Sequence, residues 1–223
     1  MNKIKLLLAY TCIAIGLSAC ASKKEPYDYS AYQQHKPKSI LVVLPANDSL
    51  ENKAPSAILA HSTQPLSEAG YYVFPAALVQ ETFVQNGIYD GEQVKDISLP
   101  KLKQIFNPDA VLYLNVEKYG TKYQVIDSKS TVSVSGKLVD IATGQQLWSG
   151  TKTVAKSGVD HNKSNLIGAL VGAVVTQIAN TMMDQSYGLS EQAMNQLLAT
   201  DCDGCILHGK YSPKNGQDKQ LNK

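Results

Sequence analysis

The sequence predicts an α/β fold: a single sandwich in which a mixed β-sheet, including a β-meander, packs against helices. Strand and helix patterns alternate between residues 39 and 106, which is typical of sheets with helical crossovers. Alternating strands joined by short turns follow between residues 110 and 154. Two helical segments, at about residues 163–185 and 190–199, then close the domain.

In the first half, the apolar run Ser39–Pro45 is typical of a central strand covered on both faces. A helix is predicted to begin at Pro55, since proline suits the first helical turn. It should end before Gly70, and a short strand over residues 71–74 should follow. Two further helices are predicted at residues 76–85, ended by Asn86-Gly87, and 98–106, with Ser98 as a candidate N-cap.

The second half predicts a meander with one buried face. The strand from Ala110 to Tyr119 starts with apolar residues only, and a turn is expected at Gly120. Alternation over residues 131–138 places Val132, Val134 and Leu138 on one face. The tight turn from Asp140 to Gly144 is favoured because glycine allows a positive φ and Asp140 can accept backbone hydrogen bonds. The next strand carries Trp148, which we interpret as a core aromatic, with a partner anchor as the alternative.

The N-terminus has the layout of a secretory signal peptide. Lys3 and Lys5 precede the apolar stretch 6–17, and small residues lead up to Cys20. The stretch is about a dozen residues, shorter than the ~20 that a membrane-spanning helix needs.

Leu17-Ser18-Ala19-Cys20 resembles the lipobox of bacterial lipoproteins. The resemblance implies that Cys20 carries covalent lipid and becomes the new N-terminus; an ordinary secreted protein is the alternative. Several acyl chains hold a protein on a membrane where one binds only marginally. Ala21 and Ser22 follow the cysteine, and neither is the aspartate that would resemble an inner-membrane retention signal. We therefore expect an outer-membrane anchor with the domain facing the periplasm.

The expected domain plan has four parts: residues 1–19 as signal peptide, 20–38 as lipid anchor and flexible tether, 39–200 as the α/β domain, and 201–223 as a polar C-terminal tail with a Cys-x-x-Cys motif. The tether would reach at most ~60 Å when extended. The chain has 21 basic and 19 acidic residues, and the signal peptide contains two of the lysines. The neutral remainder argues against nucleic acid as a partner.

Three segments resemble a family of bacterial lipoproteins of unknown function. They are 65–75, 110–114 and the hairpin 138–150, with its Asp-x-x-Thr-Gly-x-x-Leu-Trp pattern. The resemblance spans roughly residues 38–200. It implies a domain similar to the N-terminal domain of TolB and to the secretion lipoprotein CsgG, and a role in assemblies at the outer membrane. The family supplies no catalytic residues.

Cys202 and Cys205 are the two cysteines of the mature chain besides the anchor. A local disulfide suits an oxidising periplasm, and we predict that pairing. A redox dithiol would need a thiol at a helix N-terminus, and this pair instead follows a helix. A metal site with His208 is the third interpretation, but a fourth ligand is not evident. No metal and no cofactor other than the lipid on Cys20 is expected.

One face of the helix at about 163–185 carries the small residues Gly168, Gly172 and Ala179. Small residues let another backbone approach closely, so this face is a candidate interface. Burial within its own domain is the alternative.

The four histidines are scattered, and no nucleophile elbow, zinc-protease motif or phosphate loop occurs in the sequence. We therefore expect a non-enzymatic scaffold or subunit of an envelope assembly or secretion complex, with other envelope lipoproteins or further copies of the chain as partners. A periplasmic module that binds a small ligand or glycan is the alternative.

Overall fold

A computed structural model describes residues 26–123, 128–157 and 185–221. Its centre is a six-stranded mixed sheet with the strand order β3-β1-β4-β5-β6, in which β2 pairs separately with β4. The strands are β1 Ser39–Val42, β2 Ala46–Asn47, β3 Tyr72–Val73, β4 Ala110–Tyr123, β5 Ser128–Asp140 and β6 Gln146–Ser157. The predicted α/β sandwich is confirmed.

Seven α-helices are described around this sheet. In chain order they are α1 Ser30–His35, α2 Ala54–Ala60, α3 Thr63–Glu68, α4 Ala76–Gln85, α5 Gly91–Lys95, α6 Leu99–Phe106 and α7 Gln185–Leu197. The single helix predicted from Pro55 is divided into α2 and α3 at His61 and Ser62. Helix α6 follows Ser98 as predicted, although the Ser98 side chain makes no capping hydrogen bond.

The parallel half of the sheet consists of β1, β2, β3 and the start of β4. Ile40, Leu41 and Val42 are all buried, as the unbroken apolar run predicts for a strand covered on both faces. Asp109 fixes the entry to this half, because its Oδ2 accepts hydrogen bonds from the backbone N–H groups of Lys38 and Ser39, at 2.8 and 3.0 Å.

The antiparallel half is the predicted meander, formed by β4, β5 and β6. Val132, Val134 and Leu138 are fully buried on the face that α7 covers. The prediction of a turn at Gly120 is wrong, because β4 continues to Tyr123. Gly120 pairs with Thr131 and has a φ of 119°, which glycine tolerates. A β-bulge between Val116 and Lys118 adjusts the register instead.

Trp148 is a core residue, 1% exposed, and its indole N–H donates a hydrogen bond to the Gly204 carbonyl at 2.9 Å. The predicted tight turn is also confirmed. The Asp140 Oδ1 atom accepts hydrogen bonds from the backbone N–H groups of Ala142 and Thr143 and from the Thr143 hydroxyl. Gly144 has the expected positive φ, 74°.

Both ends of the described chain belong to the folded body. Residues 26–38 do not form a free tether, because they contain α1 and bury Tyr29 and Tyr32 in the core. Residues 201–221 do not form a free polar tail, because Ile206 and Leu207 within this segment are buried in the core. In both segments a few apolar side chains provide the contacts, although the surrounding composition is polar.

Candidate functional site

The predicted site residues fall into two groups. Cys20, Gly168, Gly172 and Ala179 lie outside the described residues. Cys202 and Cys205 are joined in a disulfide with their Cα atoms 5.2 Å apart. The disulfide closes a turn that follows α7. Within this turn the Gly204 carbonyl accepts the hydrogen bond from the Trp148 indole N–H. These cysteines therefore lie at a packed junction of the domain.

Three tyrosines form the junction with the C-terminal segment: Tyr29 and Tyr32 from the N-terminal segment, and Tyr71 from immediately before β3. The Tyr29 hydroxyl donates to the Cys205 carbonyl at 2.7 Å, across 176 positions of the chain. The Tyr71 hydroxyl donates to the Leu207 carbonyl at 2.6 Å, and the Tyr32 hydroxyl shares a hydrogen bond with that of Tyr71. Burial raises the pKa of Tyr29 to about 12 and raises those of Tyr32 and Tyr71. All three hydroxyls therefore keep their protons at neutral pH and can donate.

Two glycines allow this junction to close. The Gly209 N–H donates to the Ala69 carbonyl at 2.8 Å, and a Cβ at Gly209 would lie 2.3 Å from the Gly70 carbonyl oxygen. A Cβ at Gly70 would lie 2.3 Å from the Ser212 nitrogen. Gly70 therefore ends a helical segment, as predicted, and also lets the C-terminal segment approach the backbone.

A cavity of about 680 Å³ lies between α1 and the C-terminal segment. Tyr32, Tyr71 and Leu207 contribute to its apolar part. Three lysines, Lys36, Lys38 and Lys210, line it as well, and the acid in the lining, Asp218, is hydrogen-bonded to His208. The lining thus carries a positive excess, which suits an anionic group on a small molecule.

The fold contains two histidine–aspartate contacts, and the one formed by His208 and Asp218 lines the cavity. His35 on α1 approaches the hairpin turn, with Nδ1 3.1 Å from the Asp140 Oδ2 atom. Burial opposes ionisation of Asp140, but the hydrogen bonds from Thr143 and Ala142 and the charge of His35 prevail, and its pKa is lowered. His208 lies between Asp218 and Asp201. Desolvation likewise opposes ionisation of Asp201, but Lys214 and His208 lower its pKa.

Tyr27, Tyr29 and Tyr32 lie in the segment that the sequence predicts to be a flexible tether. Their spacing over a short polar stretch gave no sign of what they pack against, because their partners lie at the other end of the chain. Asp218 was missed altogether. It stands among Gly, Lys, Asn and Gln residues that resemble a solvated tail.

Comparisons with known proteins agree with this architecture. The family model described as "Putative lipoprotein GNA1162-like" matches residues 27–211. A lipoprotein of Neisseria meningitidis serogroup B, NMB1124/NMB1162, is 45% identical over 207 residues, covering 92% of this chain and 96% of its own. The crystal structure of lipoprotein GNA1162 from Neisseria meningitidis is 51% identical, with a TM-score of 0.52, and covers 65% of this chain and 99% of its own.

A PelC dodecamer from Paraburkholderia phytofirmans is a more distant likeness, at 16% identity and a TM-score of 0.42, covering 78% of this chain and 93% of its own. No conclusion about assembly follows from it. The resemblance to TolB and CsgG stays an expectation. Among the described helices none is long and apolar enough to span a bilayer. On its sequence from Tyr27 to Tyr211 and on its close relatives, the chain belongs to the GNA1162-like family of lipoproteins.

Proposed function

We propose that this lipoprotein is anchored to the outer membrane through lipid on Cys20, faces the periplasm, and acts as a non-enzymatic scaffold or subunit of an envelope assembly or secretion complex. Membership of a lipoprotein family supports the anchor. The lipobox-like Leu-Ser-Ala-Cys and the residues Ala21 and Ser22 support the outer membrane as its location.

The observation that carries this proposal is the packing of the chain immediately after the anchor. Tyr27 already contacts the domain, since its hydroxyl accepts a hydrogen bond from the Ser149 backbone N–H at 2.9 Å. Seven residue steps separate it from Cys20, and even when extended they span at most ~25 Å. A domain on so short a connection stays beside its membrane and presents its remaining surfaces to neighbouring envelope proteins.

The outer edge of β6 is the surface that best suits a protein partner. Within the described part of the chain, β6 pairs as a strand with β5 alone. Tyr27 covers the start of its outer edge at Ser149, and the middle of the strand, residues 151–156, has no second strand partner among the described residues. Such an edge can accept an added strand. Lys152 and Lys156 lie on β6 and limit unspecific pairing, so the partner strand would carry acidic residues.

The anchor is tested by Cys20→Ser in the native host. We expect the variant to leave the outer-membrane fraction or to remain unprocessed. A variant that is mature in size and still fractionates with the outer membrane contradicts the anchor.

The partner is tested by placing a photo-crosslinking amino acid at Ala155 on β6 of the intact lipoprotein. Lys103 on α6 is the matched control, because it is also exposed but does not lie on β6. We expect discrete crosslinked envelope proteins from position 155 and none from position 103. Equal products from both positions, or none from either, contradict a partner at this edge.

A second function, binding of a small ligand, is favoured by the cavity between α1 and the C-terminal segment. Its volume of about 680 Å³ lies within the ~300–1,000 Å³ range of small-molecule sites. Native mass spectrometry of protein extracted from membranes tests it. An anionic adduct that is lost in a Lys36→Glu, Lys210→Glu variant supports this function, and the absence of any adduct contradicts it.

A further inference from the structure

His208 is fixed in one tautomer by Asp218. Its Nδ1 atom lies 2.7 Å from the Asp218 Oδ1 atom, which also accepts a hydrogen bond from the His208 backbone N–H at 2.8 Å. The side chains are 5% and 1% exposed. The oxygen of an ionised carboxylate only accepts hydrogen bonds, so Nδ1 carries the proton. In the neutral ring, Nε2 is therefore left with a free lone pair.

Asp201 faces this lone pair. Its Oδ2 atom lies 3.9 Å from Nε2, beyond hydrogen-bonding distance, and Nε2 makes no hydrogen bond to any residue in the described ranges. The Lys214 ammonium approaches the same oxygen at 3.4 Å, from a side chain that is 63% exposed. When the ring is protonated, Nε2 and this oxygen form a long ion pair. When the ring is neutral, the two atoms are both acceptors and repel across the gap, unless a metal cation lies between them.

The distances suit a metal ion. One oxygen from each aspartate and one ring nitrogen of His208 all lie within 4.8 Å of one another. Zinc bonds to imidazole nitrogen and carboxylate oxygen at ~2.0–2.2 Å, and two such ligand atoms of a tetrahedral site lie ~3.4 Å apart. Nε2 and Oδ2 are 3.9 Å apart, so a small approach of the Asp201 side chain would let both bind one ion. Metal-binding histidines usually donate their second ring N–H to a carboxylate, the role that Asp218 already has. Mixed imidazole and carboxylate ligands favour zinc over calcium or magnesium, which prefer oxygen alone.

We propose that His208 Nε2 and the Asp201 carboxylate bind a divalent ion of the zinc class, that Asp218 orients the imidazole ring, and that water completes the coordination. The ion displaces Lys214 from Asp201. It links the residue before the Cys202–Cys205 disulfide to the residue that follows Leu207, and so fastens the C-terminal segment where that segment meets Tyr29 and Tyr71. This site differs from the metal site considered from the sequence, because the two cysteines are not ligands.

The test is a calorimetric titration of zinc chloride into the full mature lipoprotein in detergent. The protein is first treated with a chelator, which is then removed, and no reductant is present. We expect uptake of one ion per chain. Asp201→Asn and His208→Gln should each weaken the affinity at least tenfold. Asp203→Asn, a nearby exposed carboxylate, is the matched control and should bind as the natural chain does. Lys214→Met should bind more tightly, because the competing ammonium is gone.

Two further measurements keep the outcome unambiguous. His208→Gln could disturb the fold by leaving Asp218 unpaired, so thermal melts accompany each variant; Asp201→Asn alters a more exposed residue and decides the question if His208→Gln is unfolded. The Cys202→Ser, Cys205→Ser double variant should retain zinc. No saturable binding, full binding in Asp201→Asn, or loss of binding in the cysteine double variant would overturn the proposal.

Discussion

Single residues at the hairpin turn show how one carboxylate organises two parts of the chain. Asp140 accepts hydrogen bonds from Ala142 and Thr143 through one oxygen, and its other oxygen lies beside His35 of α1. The turn pattern alone predicted the first set of bonds. It could not predict His35, because nothing in a polar stretch a hundred residues earlier indicates which turn it will reach. The ionised form of Asp140 is thus favoured by contacts both within the turn and outside it.

Stability at low pH should depend on this carboxylate. The pKa of Asp140 is lowered in the folded state, so its contribution is present above the unfolded value, ~3.9, and is lost as the pH falls through the lower folded value. We expect the difference in free energy of unfolding between the natural chain and Asp140→Asn to shrink below about pH 4. Urea unfolding at several pH values measures it, with Asp96→Asn as a control for removing an exposed carboxylate. A constant difference down to pH 2 would count against the Asp140 interactions.

Among the elements, those with strong local patterns were predicted well. The apolar run of β1, the alternation in β5 and the turn before β6 each express one dominant physical preference. Helices α1 and α5 were missed, because they are short; α5 begins with a capping box between Asp90 and Gln93 that was overlooked. Neither the junction of the two chain ends nor the Asp201–His208–Asp218 cluster could be predicted, since both depend on contacts between segments that look unstructured.

The first element-level prediction concerns α1. Removing residues 26–38 should lower the free energy of unfolding by at least about 2 kcal/mol, because Tyr29 and Tyr32 lose their burial. A soluble form that starts at residue 26 is the comparison, and urea unfolding is the measurement. Equal stability of the two forms would restore the free-tether interpretation of this segment.

The second concerns the turn after α7. Protein prepared without reductant should show no free thiol at Cys202 or Cys205. Changing both to serine should cost no more than ~2 kcal/mol, because a disulfide that closes so short a loop removes little entropy from the unfolded chain. Thiol titration and chemical denaturation check the two statements. A much larger loss would mean that the bond supports contacts beyond its own turn.

At the scale of the whole molecule, the proposed lipid anchor lies at one end of the chain, and β6 pairs with β5 alone among the described strands. Partner binding could instead involve the predicted small-residue face of Gly168, Gly172 and Ala179, which lies outside the described residues. The two surfaces would bind a partner in different ways. The small-residue face requires close approach of another backbone, whereas the β6 edge requires backbone groups that can pair with an added strand.

Gly172→Leu distinguishes these two hypotheses. If the small-residue face contacts another subunit, the variant should lose self-association or partner binding while keeping its melting temperature, because leucine separates the two backbones. If the face packs inside the domain, overpacking should cost about 1–3 kcal/mol and lower the melting temperature. Sedimentation and thermal melts of the same variant give the answer. Unchanged association with a large loss of stability would remove this face from the list of interfaces.

The hydrogen bond from Tyr29 to Cys205 has a consequence for when the protein becomes folded. Its two residues are 176 positions apart, so the Tyr29 hydroxyl cannot reach its partner until almost the whole chain has been synthesised. Contacts of such high sequence separation form late, because the loop-closure entropy must be lost first. During that interval Tyr29 and Tyr32, which are buried in the folded domain, remain exposed to solvent. We expect a chain truncated after residue 200 to leave these tyrosines without their C-terminal partners, so that limited proteolysis cleaves residues 26–38 faster than in the full chain.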